Sequence, residues 1–433
     1  KAFITVCEKE ALTRARGADK LIRKGPSAFE KKPLLGIPMA LKDNFCTQNI
    51  RTTAASKVLE NYLPPYDATV VKQLKAAGAI IIGKTNMDAW AHGSSTETSA
   101  FFTTRNPWNL NRLPGGSSGG STAAVAADET ITAIGSETAG SIRQPAAWCG
   151  VVGFKPTYGR VSRYGLIAMA SSLDSPGPIT KSVADAALIL QTLAGSDEKD
   201  ATTVPRIVPD FLNPNKKRNH LTIGVPQQYF LKGMNKSVAN LVRQAITSFK
   251  KAGFKMKPVS LMDPKYSVAV YTVIQRSEVS SNLARFDGIR YGRDRSFFGQ
   301  EAKRRIMLGT YALSAGYFDQ YYLKAQKVRS LIRDDFEKVF KKVDLLIAPT
   351  SPFTALPIGA SSGQAMFGEM QDILVEASSL AGLPGISLPC GFSTDGLPVG
   401  LQLIAPQFGE DLLFQAAFVY EQRTSWHQRK PKL

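Results

Sequence analysis

A run of glycine and serine, GGSSGGS at residues 115–121, strongly restricts the folds open to this chain. Compositions of this kind are usual in flexible linkers. Here, however, the run leads directly into TAAVAA at residues 122–127, which favours a helix because alanine is the strongest helix former. We therefore predict a tight turn that opens a helix rather than a linker.

The rest of the chain alternates between helical and strand patterns. Apolar residues spaced three or four apart predict helices at residues 67–77, 183–193 and 238–252. Short apolar runs predict strands at residues 79–82, 221–225, 345–348, 385–389 and 399–404. Helices that alternate with strands indicate an α/β fold, in which a sheet is covered by helices on both faces.

Three side chains in this pattern suit a common chemistry. Lys42 directly follows the apolar run IPMAL, Ser117 lies in the glycine-rich turn, and Ser141 opens the segment SIRQP. A serine hydroxyl is a poor nucleophile until a base takes its proton, and burial can lower the pKa of a lysine enough for it to be that base. A second serine can relay the proton. These residue types point to a serine nucleophile that works without histidine.

The segment around Ser141 also suits the binding of an oxyanion. Its small residues let backbone N–H groups approach a developing negative charge, and the candidate donors are Thr138, Ala139, Gly140 and Ser141. Loss of one such donor typically costs on the order of a hundredfold in rate. We therefore expect an oxyanion hole at these four residues.

Two motifs that suggest other chemistries are rejected. The segment GAIIIGKT at residues 78–85 fits the phosphate-loop pattern, but its β-branched apolar centre is typical of a strand and not of an open turn. The pattern GxSxG at residues 115–119 also occurs in nucleophile elbows, which need a later acid and a later histidine. Only His220 and His427 follow, and neither has an obvious triad setting.

Neither a metal site nor a catalytic histidine is expected. The cysteines, at positions 7, 46, 149 and 390, have no CxxC spacing and no clustered histidines beside them. Such scattered cysteines indicate free thiols in a reducing compartment. His92, beside Gly93 and close to Trp90, is interpreted as a packed residue of a pocket wall.

With the lysine and the two serines in this order, the chain resembles the amidase signature family, whose members hydrolyse carboxamides. The resemblance implies that Lys42 is the base, Ser117 the bridging serine and Ser141 the nucleophile. It also implies the family fold, a mixed twisted β-sheet core flanked by helices on both faces. The chain departs from the family pattern Asp-x-Gly-Gly-Ser at Glu137 and Ala139. Alanine still donates its N–H, although it restricts positive φ.

The resemblance covers nearly the whole chain and implies one amidase signature domain at residues 1–433. The mostly helical region at about 267–340 is expected to form a cap over the site. Residues 195–219 are rich in Asp, Pro, Asn and Lys, and are predicted to be a loop excursion between two halves of the domain.

Within the family, several stretches look like the glutamine-hydrolysing subunits of tRNA-dependent amidotransferases. These stretches include GSSTE at 93–97, RRIMLGTYALSAGY at 304–317 and LAGLP at 380–384. The implied substrate is free glutamine, which needs a cation for its carboxylate and an anion for its ammonium group. The matching positions are Arg305 and Asp372. Without the resemblance, Arg305 is typical of a solvated helix face and Asp372 of a helix start.

The amidotransferase resemblance also implies partners. The expected assembly is a heterotrimer with a B subunit and a small third subunit, and it uses ammonia from glutamine to convert Glu-tRNA(Gln) to Gln-tRNA(Gln). ATP and Mg²⁺ are expected on a partner subunit, Glu-tRNA(Gln) is expected to bind mainly through the partner, and this chain is expected to hold no cofactor. Two alternatives stay open: a stand-alone amidase acting on another carboxamide, and a catalytically silent scaffold subunit.

The charge of the chain is strongly basic. Its 54 Lys and Arg against 35 Asp and Glu give a net charge of +19, and such an excess favours anionic partners. The basic residues are scattered, however, and form no recognisable nucleic-acid motif. Because basic proteins are also common in the mitochondrial matrix, that location is expected, with a bacterial cytoplasm as the alternative. No membrane span is expected, because the apolar segments are short and interrupted.

Overall fold

The computed structural model describes residues 1–214 and 221–432. Its strands are β1 Phe3–Val6, β2 Pro38–Lys42, β3 Ile80–Thr85, β4 Thr132–Glu137, β5 Val152–Lys155, β6 Ser175–Thr180, β7 Thr222–Pro226, β8 Lys255–Val259, β9 Leu345–Pro349, β10 Gly385–Phe392 and β11 Pro398–Ile404. They form one 11-stranded sheet in the order β1-β3-β2-β4-β6-β5-β10-β11-β9-β7-β8. β2 is parallel to β3 and β4, and β7 is parallel to β8 and β9, whereas the other neighbours are antiparallel.

Helices cover both faces of this sheet. They are α1 Glu8–Ile22, α2 Ser27–Lys31, α3 Thr69–Ala76, α4 Gly119–Ala126, α5 Arg143–Cys149, α6 Val183–Leu193, α7 Lys236–Lys251, α8 Lys265–Leu283, α9 Gln300–Leu313, α10 Lys324–Phe340, α11 Phe367–Asp372, α12 Glu376–Leu380 and α13 Glu410–Glu421. Helices α3, α6, α7 and α13 bury their apolar sides in one large core. Helices α4 and α5 pack in a separate cluster. The predicted α/β fold, a mixed sheet between helices, is confirmed.

Strand β2 shows how the sheet positions Lys42. Met39 and Leu41 belong to the large core with α3, α6, α7 and α13, whereas Ala40 packs in the cluster with α4 and α5. Because side chains alternate along a strand, Lys42 shares the face of Ala40. Strands β2 and β4 are parallel, so their last residues, Lys42 and Glu137, lie at the same edge of the sheet. The segments that precede α4 and α5 meet at this edge.

Most of the predicted elements occur where the patterns place them. Helix α6 begins and ends as predicted, and α3 and α7 deviate by one or two residues at their ends. The predicted turn into a helix is confirmed, because α4 begins at Gly119 and all its residues are buried. The strand predicted at 79–82 continues to Thr85, because it pairs with β2 as far as Lys42. Pairing with a neighbour therefore extends this strand beyond its apolar run.

The loop predicted at residues 195–219 is described only in part. Residues 195–214 form no helix or strand, and residues 215–219 lie outside the described ranges. Within residues 1–214 and 221–432, no helix has the length and apolar character needed to cross a bilayer.

Three long helices lie in the region expected to form a cap. Helix α8 packs against both α9 and α10, and α8 and α10 also contact α12. In α9, Gly309 approaches α8 so closely that a Cβ at this position would overlap the carbonyl group of Arg276. Gly309 follows Arg305 by one helical turn. The absence of a side chain at residue 309 therefore allows the part of α9 that carries Arg305 to pack directly against α8.

We expect Gly309→Ala to lower the free energy of unfolding by about 1–3 kcal/mol, because an added methyl group meets backbone that cannot move aside without separating two helices. The measurement is chemical denaturation. Gly17→Ala is the matched control, since Gly17 also lies inside a helix, α1, and its added Cβ has none of the described residues within 4 Å. This control should be neutral or up to about 1 kcal/mol more stable. Equal stability of the two variants would contradict the close packing of α8 and α9.

Candidate active site

Lys42 and Ser117 are in direct contact. The Nζ atom of Lys42 is hydrogen bonded to Oγ of Ser117 over 2.7 Å and to the carbonyl oxygen of Ser136 over 2.9 Å. Both side chains are fully buried, and the Gly116–Ser117 peptide bond is cis. The sheet edge thus brings together two of the three predicted residues, which are 75 positions apart in the sequence.

Burial lowers the pKa of Lys42 to about 7, because the ammonium form loses its hydration. The carboxyl groups of Asp88, Asp174 and Glu137 act in the opposite direction and limit this decrease. None of the described carboxylates forms an ion pair with Lys42. A substantial fraction of the lysine is therefore a neutral amine at neutral pH.

Close backbone packing holds the turn that carries Ser117. The N–H of Gly116 donates to Oε1 of Gln144 over 3.0 Å. A Cβ on Gly116 would overlap Oδ2 of Asp88 and the backbone nitrogen of Ser95, and the same Asp88 oxygen accepts from that nitrogen over 3.1 Å. Only glycine fits at this position. The absence of a side chain at residue 116 therefore allows the Ser117 turn to lie directly against Asp88 and Ser95.

Ser141 lies in the loop between β4 and α5, beside the Ser117 turn. Its carbonyl oxygen accepts from the N–H of Ser118 over 3.0 Å. In the described part of the chain, no acceptor is hydrogen bonded to the backbone N–H groups of Thr138, Ala139, Gly140 and Ser141. Buried amides normally have partners, so this loop is suited to an acceptor from outside the chain. Ala139 does not have positive φ, and the alanine therefore causes no backbone strain.

A fully buried ion pair between Glu137 and Arg143 holds the Ser141 loop in place. The carboxylate of Glu137 accepts from the backbone N–H groups of Ile142 and Arg143 over 2.9 and 2.8 Å, and from Nε of Arg143 over 2.7 Å. Arg143 also donates to the carbonyl oxygen of Ala139 over 3.1 Å. Its remaining partners include the side chains of Ser378, Ser379 and Gln402. The pair therefore fixes the loop at both of its ends.

A cavity of about 230 Å³ is lined by residues that include parts of α9, α11 and the segment 92–98. Arg305 and Ser94 contribute to its wall. Asp372 accepts from Oγ of Ser94 over 2.8 Å, and its Oδ1 atom has no hydrogen-bond partner in the part of the chain that the structure describes. A Cβ on Gly140 would overlap that same Oδ1 atom. Asp372 therefore connects the cavity with the Ser141 loop.

Neither Arg305 nor Asp372 is a solvated surface residue. Arg305 is 3% exposed, and Asp372, at the end of α11, is 5% exposed. Burial raises the pKa of Asp372 well above its ordinary value. Arg305 donates from Nε to Glu301 over 2.7 Å and from Nη2 to Glu369 over 3.5 Å. Arg305 thus lines the cavity, and buried Asp372 lies between Ser94 in the cavity wall and Gly140 in the Ser141 loop.

Sequence reasoning gave no role to several residues that shape the site. Asp174, for example, accepts from Oγ1 of Thr138 over 2.6 Å and from the N–H of Met169 over 2.9 Å. Nothing near Asp174 in the sequence signals this contact. The role of Arg143 could have been predicted, because this arginine lies in the SIRQP segment beside apolar residues. A buried arginine is almost always paired with an acid.

The rejected motifs have structural roles. Lys84, from the phosphate-loop pattern, lies in β3 and donates to the carbonyl oxygen of Phe45 over 2.8 Å and to Oγ1 of Thr52 over 2.7 Å. His92 lines the cavity, and burial lowers its pKa well below the ordinary value, which confirms its interpretation as a pocket-wall residue. In residues 1–214 and 221–432, no group of three or more His, Cys, Asp or Glu side chains could hold a metal ion.

Comparison with known proteins agrees with this geometry. The sequence matches the Amidase family over residues 1–414, and the chain belongs to the amidase signature family. It is 53% identical over 450 residues to the A subunit of glutamyl-tRNA(Gln) amidotransferase from Moorella thermoacetica, with 100% of this chain and 91% of the relative covered.

Two solved structures are also similar. The A subunit of glutamyl-tRNA(Gln) amidotransferase from Thermotoga maritima has a TM-score of 0.82 and 44% identity, covering 96% of this chain and 92% of that one. Peptide amidase from Stenotrophomonas maltophilia has a TM-score of 0.82 and 32% identity, covering 98% of this chain and 89% of that one. These relatives are bacterial and give the expected mitochondrial location no support.

We expect Arg143→Met to lower the free energy of unfolding by about 3–5 kcal/mol, because it leaves Glu137 as an unpaired buried charge. Urea denaturation monitored by circular dichroism measures the change. The control is Arg333→Met, whose ion pairs are more than half exposed on the arginine side and should contribute at most about 1 kcal/mol. A loss at Arg143 no larger than that of the control would show that this pair does not brace the loop.

Proposed function

We propose that this chain is the glutamine-hydrolysing A subunit of a tRNA-dependent amidotransferase, and that it releases the ammonia used to convert Glu-tRNA(Gln) to Gln-tRNA(Gln). The observation that carries the proposal is the hydrogen bond between buried Lys42 and Ser117 beside the loop of Ser141. The 53% identity to an amidotransferase of this kind supports the choice of glutamine as substrate.

In the proposed reaction, neutral Lys42 takes the proton of Ser117, and Ser117 takes the proton of Ser141. The Oγ atom of Ser141 then forms a bond to the side-chain carbonyl carbon of glutamine. As the tetrahedral intermediate breaks down, the C–N bond is cleaved, and the proton returns through Ser117 to the leaving ammonia. Water attacks the glutamyl ester in a second round, which releases glutamate and restores Ser141.

The unpaired amides of residues 138–141 would bind the negative oxygen of the tetrahedral intermediate. Such donors accelerate acyl transfer because they are already oriented when the charge develops. The loop is held in place by the ion pair of Glu137 and Arg143, so little reorganisation is needed. Ala139 supplies its N–H in the same way that glycine would.

The cavity would bind the other end of glutamine. Arg305 would take the α-carboxylate, and Asp372 the α-ammonium group, whose donors would satisfy the unpaired Oδ1 atom. The positive charge of that ammonium group would also return the raised pKa of Asp372 towards its ordinary value. Recognition of a free amino acid needs both groups, which supports glutamine over an amide without charged ends.

The proposal includes partners. A B subunit would hold ATP and Mg²⁺ and activate glutamate on Glu-tRNA(Gln), a small third subunit would complete the heterotrimer, and this chain would hold no cofactor. Glu-tRNA(Gln) would bind mainly through the partner. The bacterial relatives favour a bacterial setting for this assembly over the mitochondrial matrix.

A stand-alone amidase is the second candidate, because the peptide amidase has the same fold at 32% identity. Such an enzyme would keep Lys42, Ser117 and Ser141 but would need no partner. Size-exclusion chromatography and copurification separate the two candidates. A silent scaffold is disfavoured by the intact contact between Lys42 and Ser117.

We expect Ser141→Ala and Lys42→Ala each to reduce ammonia release from glutamine by at least about a thousandfold, since they remove the nucleophile and the base. The assay uses the chain with its copurified subunits, with and without ATP and charged tRNA. Thr192→Ala is the control, because the Thr192 hydroxyl donates to the carbonyl oxygen of Leu188 within α6, away from the candidate site. Full activity of Ser141→Ala would refute the proposed chemistry, and release from other amides but not from glutamine would indicate the stand-alone amidase.

We expect kcat/KM for glutamine to rise with pH and to level off above about pH 7. Lys42 is protonated below its lowered pKa of about 7 and cannot accept a proton, so activity should fall about tenfold per pH unit at lower pH. The measurement is the pH profile of ammonia release between pH 5.5 and 8.5. A profile that decreases with rising pH, or one that stays flat, would exclude Lys42 as the base.

A further inference from the structure

A second arginine lies beside the proposed carboxylate-binding arginine. One oxygen of Glu369, Oε1, accepts from Nη2 of Arg276 over 3.1 Å and from Nη2 of Arg305 over 3.5 Å. All three side chains are at most 5% exposed. Glu369 lines the cavity with Arg305, so this shared carboxylate lies where a substrate carboxylate would arrive.

The contacts of Glu369 are incomplete for a purely structural ion pair. Arginine and carboxylate groups usually meet through two parallel hydrogen bonds. Here Oε2 of Glu369 and Nε of Arg276 have no hydrogen-bond partner among the described residues, although both atoms are buried. Buried polar atoms without partners are costly. The arrangement therefore leaves capacity for contacts that form when a ligand is present.

The existing contacts of Arg305 limit how a ligand can bind to it. Its Nε atom is taken by Glu301 over 2.7 Å, so a carboxylate that binds with two hydrogen bonds must use Nη1 and Nη2. Nη2 is the atom that Glu369 holds weakly, at 3.5 Å. A substrate carboxylate at Nη1 and Nη2 would therefore lie next to Glu369 and compete with its weak contact to Nη2.

The charges around the cavity explain why Arg276 matters for this exchange. The ion pairs at the cavity join Arg276, Arg304 and Arg305 to Glu301 and Glu369. A substrate carboxylate at Arg305 brings a further negative charge next to Glu369, and like charges in a buried site repel strongly. Arg276 already forms the shorter contact with Glu369 and can keep that carboxylate neutralised after Arg305 has released it.

We propose that Arg276 and Glu369 are specificity-determining residues for the α-carboxylate. Glu369 occupies Arg305 in the free site, and Arg276 retains Glu369 when a substrate carboxylate takes its place. Amides that lack a carboxylate leave Glu369 shared between the two arginines. This inference rests on the proposed hydrolysis of glutamine at this site.

The test uses Arg276→Met, Glu369→Gln and the double variant, each in the assembled complex. It measures glutamate formation, which gives KM and kcat for glutamine, and Ki for two amides that compete with glutamine whether or not they are cleaved themselves. Glutaric acid monoamide keeps the carboxylate but lacks the ammonium group, and 4-aminobutanamide keeps the ammonium group but lacks the carboxylate. The two inhibitors therefore report separately on the Arg305 side and the Asp372 side of the cavity.

Arg276→Met should raise KM for glutamine and Ki for glutaric acid monoamide about tenfold, the effect of one charged hydrogen bond. Its kcat should change less than about twofold, because the lost interaction binds the substrate and the transition state equally. Its Ki for 4-aminobutanamide should also change less than about twofold, because this compound has no carboxylate. Glu369→Gln should lower Ki for glutaric acid monoamide, because no carboxylate then competes for Arg305. The double variant should return to within about threefold of the wild type, which also shows that the site folds.

Equal changes in Ki for both inhibitors would overturn the inference, because a merely structural role affects both ends of the cavity. An unchanged Ki for glutaric acid monoamide in Glu369→Gln would also overturn it, even if Arg276→Met fails to assemble. If the wild-type complex does not hydrolyse glutamine, the proposed function fails instead. The failure of one proposal is therefore distinguishable from the failure of the other.

Discussion

Lys42 is buried, no carboxylate of the described residues is in contact with it, and the candidate site depends on this condition. Within residues 1–214 and 221–432, only Ser117 and the carbonyl oxygen of Ser136 are hydrogen bonded to its Nζ atom. An ammonium group in such surroundings loses its hydration without gaining an ion pair, so the neutral amine becomes accessible near pH 7. A carboxylate in direct contact would keep the lysine charged and unable to accept a proton. The nearby acids Asp88, Asp174 and Glu137 act on Lys42 without being hydrogen bonded to it.

Those acids are engaged elsewhere, and their own contacts position the loops. Glu137 is paired with Arg143 and shapes the Ser141 loop. Asp88 binds the backbone of Ser95, next to the glycine that precedes Ser117. The same side chains therefore limit the decrease in the pKa of Lys42 and fix the backbone around both serines. Electrostatics and loop geometry are thus coupled, because a change in one acid would alter both.

The part of the site proposed to bind the substrate's charged ends is organised differently from the part that carries Lys42 and Ser117. Helices α8, α9 and α11 bring Arg276, Arg305 and Glu369 together from separate parts of the chain. Their contacts leave polar atoms unpaired, whereas Glu137 and Arg143 satisfy each other. If the chain binds free glutamine as proposed, the charged ends of the ligand would supply partners for these atoms.

The sequence by itself determined the fold class, the main elements and the triad of Lys42, Ser117 and Ser141 as candidates, because strand and helix periodicities and the glycine-rich turn are local properties. It could assign Arg305 and Asp372 only through resemblance, since nothing local separates them from a solvated helix face or a helix start. Only the tertiary structure decided their burial and the Glu369 contact shared by Arg276 and Arg305. These features depend on packing between distant segments, which the order of residues along one segment does not encode.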